Sequence, residues 1–186
     1  MMALSEKAAK KLEEIRRLYP VPRSAVMPAL YLAQQELGVI NQEAIQWVSE
    51  KLDIPPVHVM EVASFYTMYY KKPVGRYHFQ VCRTLSCALR GAKKLSACLH
   101  KRLGIKPGDV SKDGMWSYEE VECLGSCGTA PMCEINDCYF ENLDESKLLK
   151  IIDQIEKEQP DLRFSAVDDK LGDGLKGYSK SEVMKL

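Results

Sequence analysis

The spacing of apolar positions divides the chain into a helical stretch and a mixed one. From Leu4 to Tyr19, Leu4, Ala8, Leu12, Ile15 and Tyr19 recur at steps of three and four with charges on the other faces, which predicts an amphipathic helix. Two prolines in YPVPRS stop it, and Ser24 is the expected N-cap of a second helix ending at Gly38. Asn41 caps a third carrying Ala44, Ile45, Val48 and Leu52 on one side. Pro55 and Pro56 suit the first turn of a fourth, reaching Tyr66 with Val59, Val62, Ala63 and Tyr66 facing inward.

Between Phe65 and Tyr77 the chain is aromatic, then basic, then broken by Pro73 and Gly75, which reads as a linker whose rings pack between subdomains or serve another protein. YHFQVC (77–82) then alternates as a strand does, and Ser86 opens a helix expected to run unbroken to Leu103 on the stripe Ala88, Ala92, Leu95, Leu99, Leu103. MWSYEEV (115–121) alternates again. Two short strands, 131–135 and 138–140, flank an Asn136-Asp137 turn, and Asp144 or Ser146 starts a last helix with Leu148, Ile151, Ile152 and Ile155 inside. From Asp161 the composition turns to Gly, Lys, Asp and Ser, as in a mobile tail. The expected organisation is α+β: a helical unit over 1–72, a mixed domain over 73–159 with a thioredoxin-like layout, and a flexible tail over 160–186.

Charge narrows the partners. Lys plus Arg number 26 and Asp plus Glu number 26, so nothing at the level of the whole chain favours nucleic acid or an anionic membrane. The longest apolar stretch, Ala25 to Ala33, is interrupted by Pro28 and falls far short of the roughly 20 residues needed to span a bilayer, so no direct membrane insertion is expected. The N-terminus mixes Lys and Glu at helical spacing, unlike a secretory signal, which predicts a cytoplasmic protein.

Cysteine carries the chemistry. Six of the seven lie between Cys82 and Cys133, and four form two close pairs, Cys82 with Cys87 and Cys123 with Cys127. Each pair follows a predicted strand, so both fall at one end of a small sheet, where four thiolates hold either zinc or a [2Fe-2S] cluster with two thiolates on each iron. Cys87 in the first turn of its helix, and Gly125 and Gly128 in the second loop, would bring main-chain N–H groups to the sulfurs, although glycines there also suit a plain tight turn. No pair has the C-x-x-C spacing of a thiol-disulfide oxidoreductase. His58, His78 and His100 are isolated at positions that suit a surface, against a Rieske-type site. Cys98 reads as core filler; Cys133 and Cys138 are expected to face each other across the hairpin, outside the ligand set. No Gly-rich dinucleotide fingerprint is present.

SFYTMY, CRTLSC followed by ALRGA, and ECLGSCGTAPM followed by IND and YFENL together resemble the thioredoxin-like [2Fe-2S] subunit family of the NADH-dehydrogenase module of respiratory complex I, NADH:quinone oxidoreductase, over residues 5–158. The resemblance maps the family's ligands onto Cys82, Cys87, Cys123 and Cys127. It implies a thioredoxin-like [2Fe-2S] ferredoxin domain behind a helical part, docked on a larger flavoprotein that binds NADH and FMN. The cluster would exchange single electrons with the FMN as a side carrier, alongside further iron-sulfur subunits in the peripheral arm of a membrane-associated complex. The chain alone would not be catalytically complete. Related subunits in NAD-linked hydrogenases and formate dehydrogenases fit the same motifs.

Overall fold

The computed structural model describes residues 4–176, which divide into two compact units: 4–73 with Ser165–Lys170, and Val74–Phe164 with 171–176. Among the described residues no helix is long and apolar enough to cross a membrane.

The first unit holds α1 (Glu6–Arg16), α2 (Val26–Leu37), α3 (Gln42–Leu52) and α4 (Pro56–Phe65). Local chemistry sets their ends. Ser5 accepts the Ala8 amide and Asn41 the Ala44 amide, each satisfying a donor that the helix leaves unpaired, while Gly38 ends α2 at φ 74°. Ser24 does not cap α2: Pro22–Ala25 form a 3-10 turn leading into it. Leu12, Leu30, Leu32, Ala33, Ile45, Val48, Leu52 and Val59 make the core. The aromatic segment after α4 splits by residue. Tyr69 is fully buried within this unit, packs edge-on to Tyr31 and donates to the Met27 carbonyl at 3.0 Å, whereas Phe65 and Tyr66 are exposed. Tyr66 therefore does not face inward.

The second unit is a four-stranded sheet in the order β2-β1-β3-β4, from β1 (Tyr77–Cys82), β2 (Trp116–Val121), β3 (Cys133–Ile135) and β4 (Cys138–Phe140). β1 runs parallel to β2 and antiparallel to β3, and β3–β4 is a hairpin. Such parallel pairing needs a crossover, supplied by α5 (Leu85–Leu89) and α6 (Ala92–Leu103). Tyr77, Phe79, Val81, Trp116 and Tyr118 share a core with Leu95 and Leu99 of α6 and with Leu148, Ile151, Ile152 and Ile155 of α7 (Glu145–Glu158), which Asp144 caps. The Ala130-Pro131 bond is cis.

Three further expectations change. The helix after β1 is not continuous: Gly91, at φ 103°, takes a conformation that side chains with a Cβ resist and separates α5 from α6. Cys133 and Cys138 do not face each other, because a two-residue turn pairs Cys133 with Phe140 and Ile135 with Cys138. Residues 161–176 are not a loose tail. Leu162 and Leu175 are buried in the second unit's core, the Gly172 and Gly174 amides donate to the Arg163 and Asp161 carbonyls, and two-residue strands β5 (Phe164–Ser165) and β6 (Lys170–Leu171) pair between them. The rest of the expected tail lies outside the described residues.

Candidate metal centre

Cys82 is the last residue of β1, and its ladder partner is Val121, the last residue of β2. The ladder continues one step, with the Arg83 amide donating to the Val121 carbonyl at 3.0 Å. Parallel pairing in this register makes both strands stop at one end of the sheet, so the turn into α5 and the loop after β2 start side by side. Arg83 and Thr84 separate β1 from α5, and Cys87 lies on that helix; Cys123 lies on the other loop, and Cys127 begins the 3-10 turn Cys127–Thr129 that closes it. All seven cysteines are free thiols, with Cys82 and Cys87 buried and Cys123 and Cys127 exposed.

The second loop curls on itself. Gly125 adopts φ 86°, its amide points at Cys123 Sγ at 3.4 Å, and Cys123 Sγ lies 3.4 Å from Cys127 Sγ. On the first loop, Cys82 Sγ is 3.1 Å from Thr84 Oγ1.

The thiols' acidities show how the two pairs meet. Burial opposes ionisation of Cys82, but the Thr84 hydroxyl and amide, the Cys87 thiol and the Leu124 main chain outweigh it and hold the group below its ordinary value. Burial pushes its neighbour Cys87 up to about 11, helped by the charge on Cys82 and on Cys127. The Gly125 amide, the Cys127 thiol and the Thr84 hydroxyl lower Cys123, while hydrogen bonding to Cys123 raises Cys127. Each pair therefore couples one thiol held below its ordinary value with one held above it. Thr84 reaches Cys123, Ser86 reaches Cys127, and Leu124 reaches Cys82, so the two loops face each other.

A metal centre binding all four sulfurs displaces their protons, and main-chain amides around the sulfurs offset the negative charge that results. Among the described residues no three Cys, His, Asp or Glu side chains converge on a point suited to a single ion. The thiols come as two and two, the arrangement that suits a two-iron rhomb.

The other candidates lie elsewhere. Cys98 is buried in the core on α6, Cys133 is fully buried on β3, and Cys138 directs its thiol to the Leu162 carbonyl at 3.6 Å. His58 meets Glu61, and His100 Nδ1 meets the Ile105 carbonyl at 2.7 Å. His78 is not a surface residue: it is buried, with Nδ1 2.8 Å from Ser117 Oγ and Nε2 3.1 Å from Glu119 Oε1. A histidine on a strand whose other face is apolar reads as solvent-facing until the neighbouring strand brings such partners. Spacing also gave no sign of Thr84, Ser126, Thr129, Tyr139 and Glu141, which bond to the cysteine loops or their thiols.

The family model "Thioredoxin-like [2Fe-2S] ferredoxin" matches residues 12–156. The E subunit of NADH-quinone oxidoreductase from Rickettsia prowazekii is 42% identical over 155 residues, covering 82% of this chain and 88% of that protein. Subunit 2 of NADH-quinone oxidoreductase from Thermus thermophilus is 49% identical over 140 residues, covering 74% of this chain and 77% of that one. Among solved structures, a chain of the air-oxidized NAD+-reducing [NiFe]-hydrogenase aligns at a TM-score of 0.62 and 22% identity over 77% of this chain. That likeness concerns the fold, and the match spans 25% of the hydrogenase chain.

Proposed function

This chain belongs to the thioredoxin-like [2Fe-2S] ferredoxin family, and from that premise we propose that it is the E subunit of an NADH:quinone oxidoreductase, a one-electron carrier with one [2Fe-2S] cluster on Cys82, Cys87, Cys123 and Cys127. The observation that carries the reading is the β1–β2 register that starts the two cysteine loops side by side at one sheet end, in a chain 42–49% identical to NADH-quinone oxidoreductase subunits.

When bound, the cluster supplies one-electron exchange. The rest falls to the chain's own residues. Cys82 and Cys87 hold one side from within the fold, and Cys123 and Cys127 hold the other from an exposed loop. The Gly125 amide and the Thr84 hydroxyl direct partial positive charge at the sulfurs. An edge open on the Cys123 side is where an electron partner approaches. That partner is the F subunit, a flavoprotein holding NADH and FMN, within the peripheral arm of a membrane-associated complex on the cytoplasmic side. Hydride chemistry occurs there, so this chain alone oxidises no NADH.

The test is iron and acid-labile sulfide analysis of anaerobically purified chain, with an EPR spectrum after dithionite reduction. Two irons, two sulfides and a rhombic S = 1/2 signal are expected. One zinc with neither sulfide nor signal would replace the carrier with a zinc-structured module. Association with a hydrogenase or formate dehydrogenase flavoprotein, in preference to that of a quinone reductase, would move the chain to that assembly. Substantial NADH-ferricyanide turnover by the chain alone would remove the assignment of NADH chemistry to a partner.

A further inference from the structure

The second cysteine loop is held from outside by the edge of the sheet. β4 is an edge strand, and residues two apart along an extended chain leave it on the same side. Tyr139 on β4 and Glu141 just past its end both reach the loop. Tyr139 donates its hydroxyl to the Leu124 carbonyl at 2.9 Å. The Glu141 carboxylate accepts from Ser126 Oγ and from Thr129 Oγ1, the latter at 2.7 Å, and the Asn142 amide donates to the Thr129 carbonyl at 2.7 Å. Ser126 immediately precedes Cys127, and Thr129 follows it by two residues.

These bonds add to the few the loop makes with itself, such as the Thr129 amide on the Ser126 carbonyl, and to the packing of Leu124 against the core. Cys123 and Cys127 are exposed, and the loop contains Gly125 and Gly128, so its backbone has much conformational freedom to lose when two sulfurs must take fixed positions. A carboxylate gripping the residues around Cys127 restricts the loop before any metal arrives, which cuts the ordering cost of binding.

We propose that Glu141 is a positioning residue for the second cysteine pair, holding Ser126 and Thr129 so that Cys127 is set beside Cys123 in the metal-free chain. The proposal rests on the reading of these thiols as cluster ligands. A glutamine keeps an oxygen that accepts both hydroxyls, while an alanine keeps none, and this separates position from charge.

The experiment uses the full chain and two measurements. The first is amide hydrogen exchange over 124–129 in the metal-free protein; the second is the rate of cluster loss from the reconstituted protein in excess chelator. Glu141→Ala, and Ser126→Ala combined with Thr129→Ala, should speed exchange across the loop and accelerate cluster loss on the order of 10-fold, as loss of a residue that orients a ligand typically does. Glu141→Gln should stay within about two-fold of wild type by both measures, since the acceptor is retained. Wild-type exchange and release rates in Glu141→Ala would overturn the proposal. Release from Glu141→Gln as fast as from Glu141→Ala, with exchange unchanged in both, would also overturn it by assigning the effect to charge. If Glu141→Ala fails to fold, the double hydroxyl variant decides by the same criteria. A wild-type chain that takes up no cluster would sink the electron-carrier reading, while hydrogen exchange still tests the positioning role.

Discussion

Cys82 and Val121 are partners at the end of the parallel β1–β2 ladder, and this pairing brings the two cysteine loops together. Val121 lies two residues before Cys123, so a ladder of this register delivers both pairs to one sheet end. Slipping β2 by one residue would also exchange its core face, Trp116 and Tyr118, for Ser117 and Glu119. Core packing and site assembly are thus fixed by one register.

Serine substitutions test the ligand set. At Cys82, Cys87, Cys123 or Cys127, serine should remove or strongly alter the EPR signal and lower bound iron. At Cys98 or Cys138 it should leave both nearly unchanged. Cys133→Ser should keep the spectrum while costing about 1–3 kcal/mol in denaturant unfolding, because it buries a hydroxyl in a fully enclosed site. Cluster loss on changing Cys133 would refute the assignment.

Gly75 lies where the chain enters β1. A Cβ there would come within 2.5 Å of the Trp116 main-chain carbon and 2.7 Å of the Ser117 nitrogen. Gly75→Ala therefore has to push β2 away, and should destabilise the protein by about 1–3 kcal/mol. An unchanged urea midpoint would show that the backbone approach is not tight in solution.

Gly91 separates α5 from α6 at φ 103°. A Cβ at this position would meet nothing closer than the Lys94 side chain at 3.9 Å, so the cost of Gly91→Ala is backbone strain alone. That strain is about 1–2 kcal/mol. Chemical denaturation should show this loss, and a stabilised variant would mean that the two helices fuse without penalty.

Glu134 gives the chain a stability that depends on pH. Burial, with the neighbouring Asp137 charge, pushes its carboxyl up to about 7, and burial raises Asp137 as well. A carboxyl whose pKa is higher folded than unfolded binds more protons in the native state, so stability falls as pH rises from the unfolded value through the folded one. The melting temperature should therefore decline between about pH 5 and pH 8. Glu134→Gln, which cannot ionise, should flatten that decline and melt higher than wild type at about pH 8. Identical pH profiles for the two proteins would exclude Glu134 as its source.

By itself the sequence determined the elements and the chemistry. Ser5, Asn41 and Asp144 cap helices because each presents a side-chain oxygen to an unpaired amide a few residues on, a purely local interaction. The period-two alternation in YHFQVC and MWSYEEV marks β1 and β2, and cysteine pairs just beyond two strand ends point to a metal. Tertiary structure decided what depends on partners distant in sequence. Leu162 and Leu175 look like stray apolar residues in a polar tail until the second unit's core receives them. His78 looks solvent-facing until β2 places Ser117 and Glu119 against its ring. Cys133 and Cys138 share a spacing with the first cysteine pair, yet hairpin register turns one into the core and offsets the other. Glu141 takes its meaning from the folding of the 123–129 loop against the sheet edge. A cap is satisfied within a few residues of chain, whereas burial and register are properties of the closed core, which no short window of sequence contains.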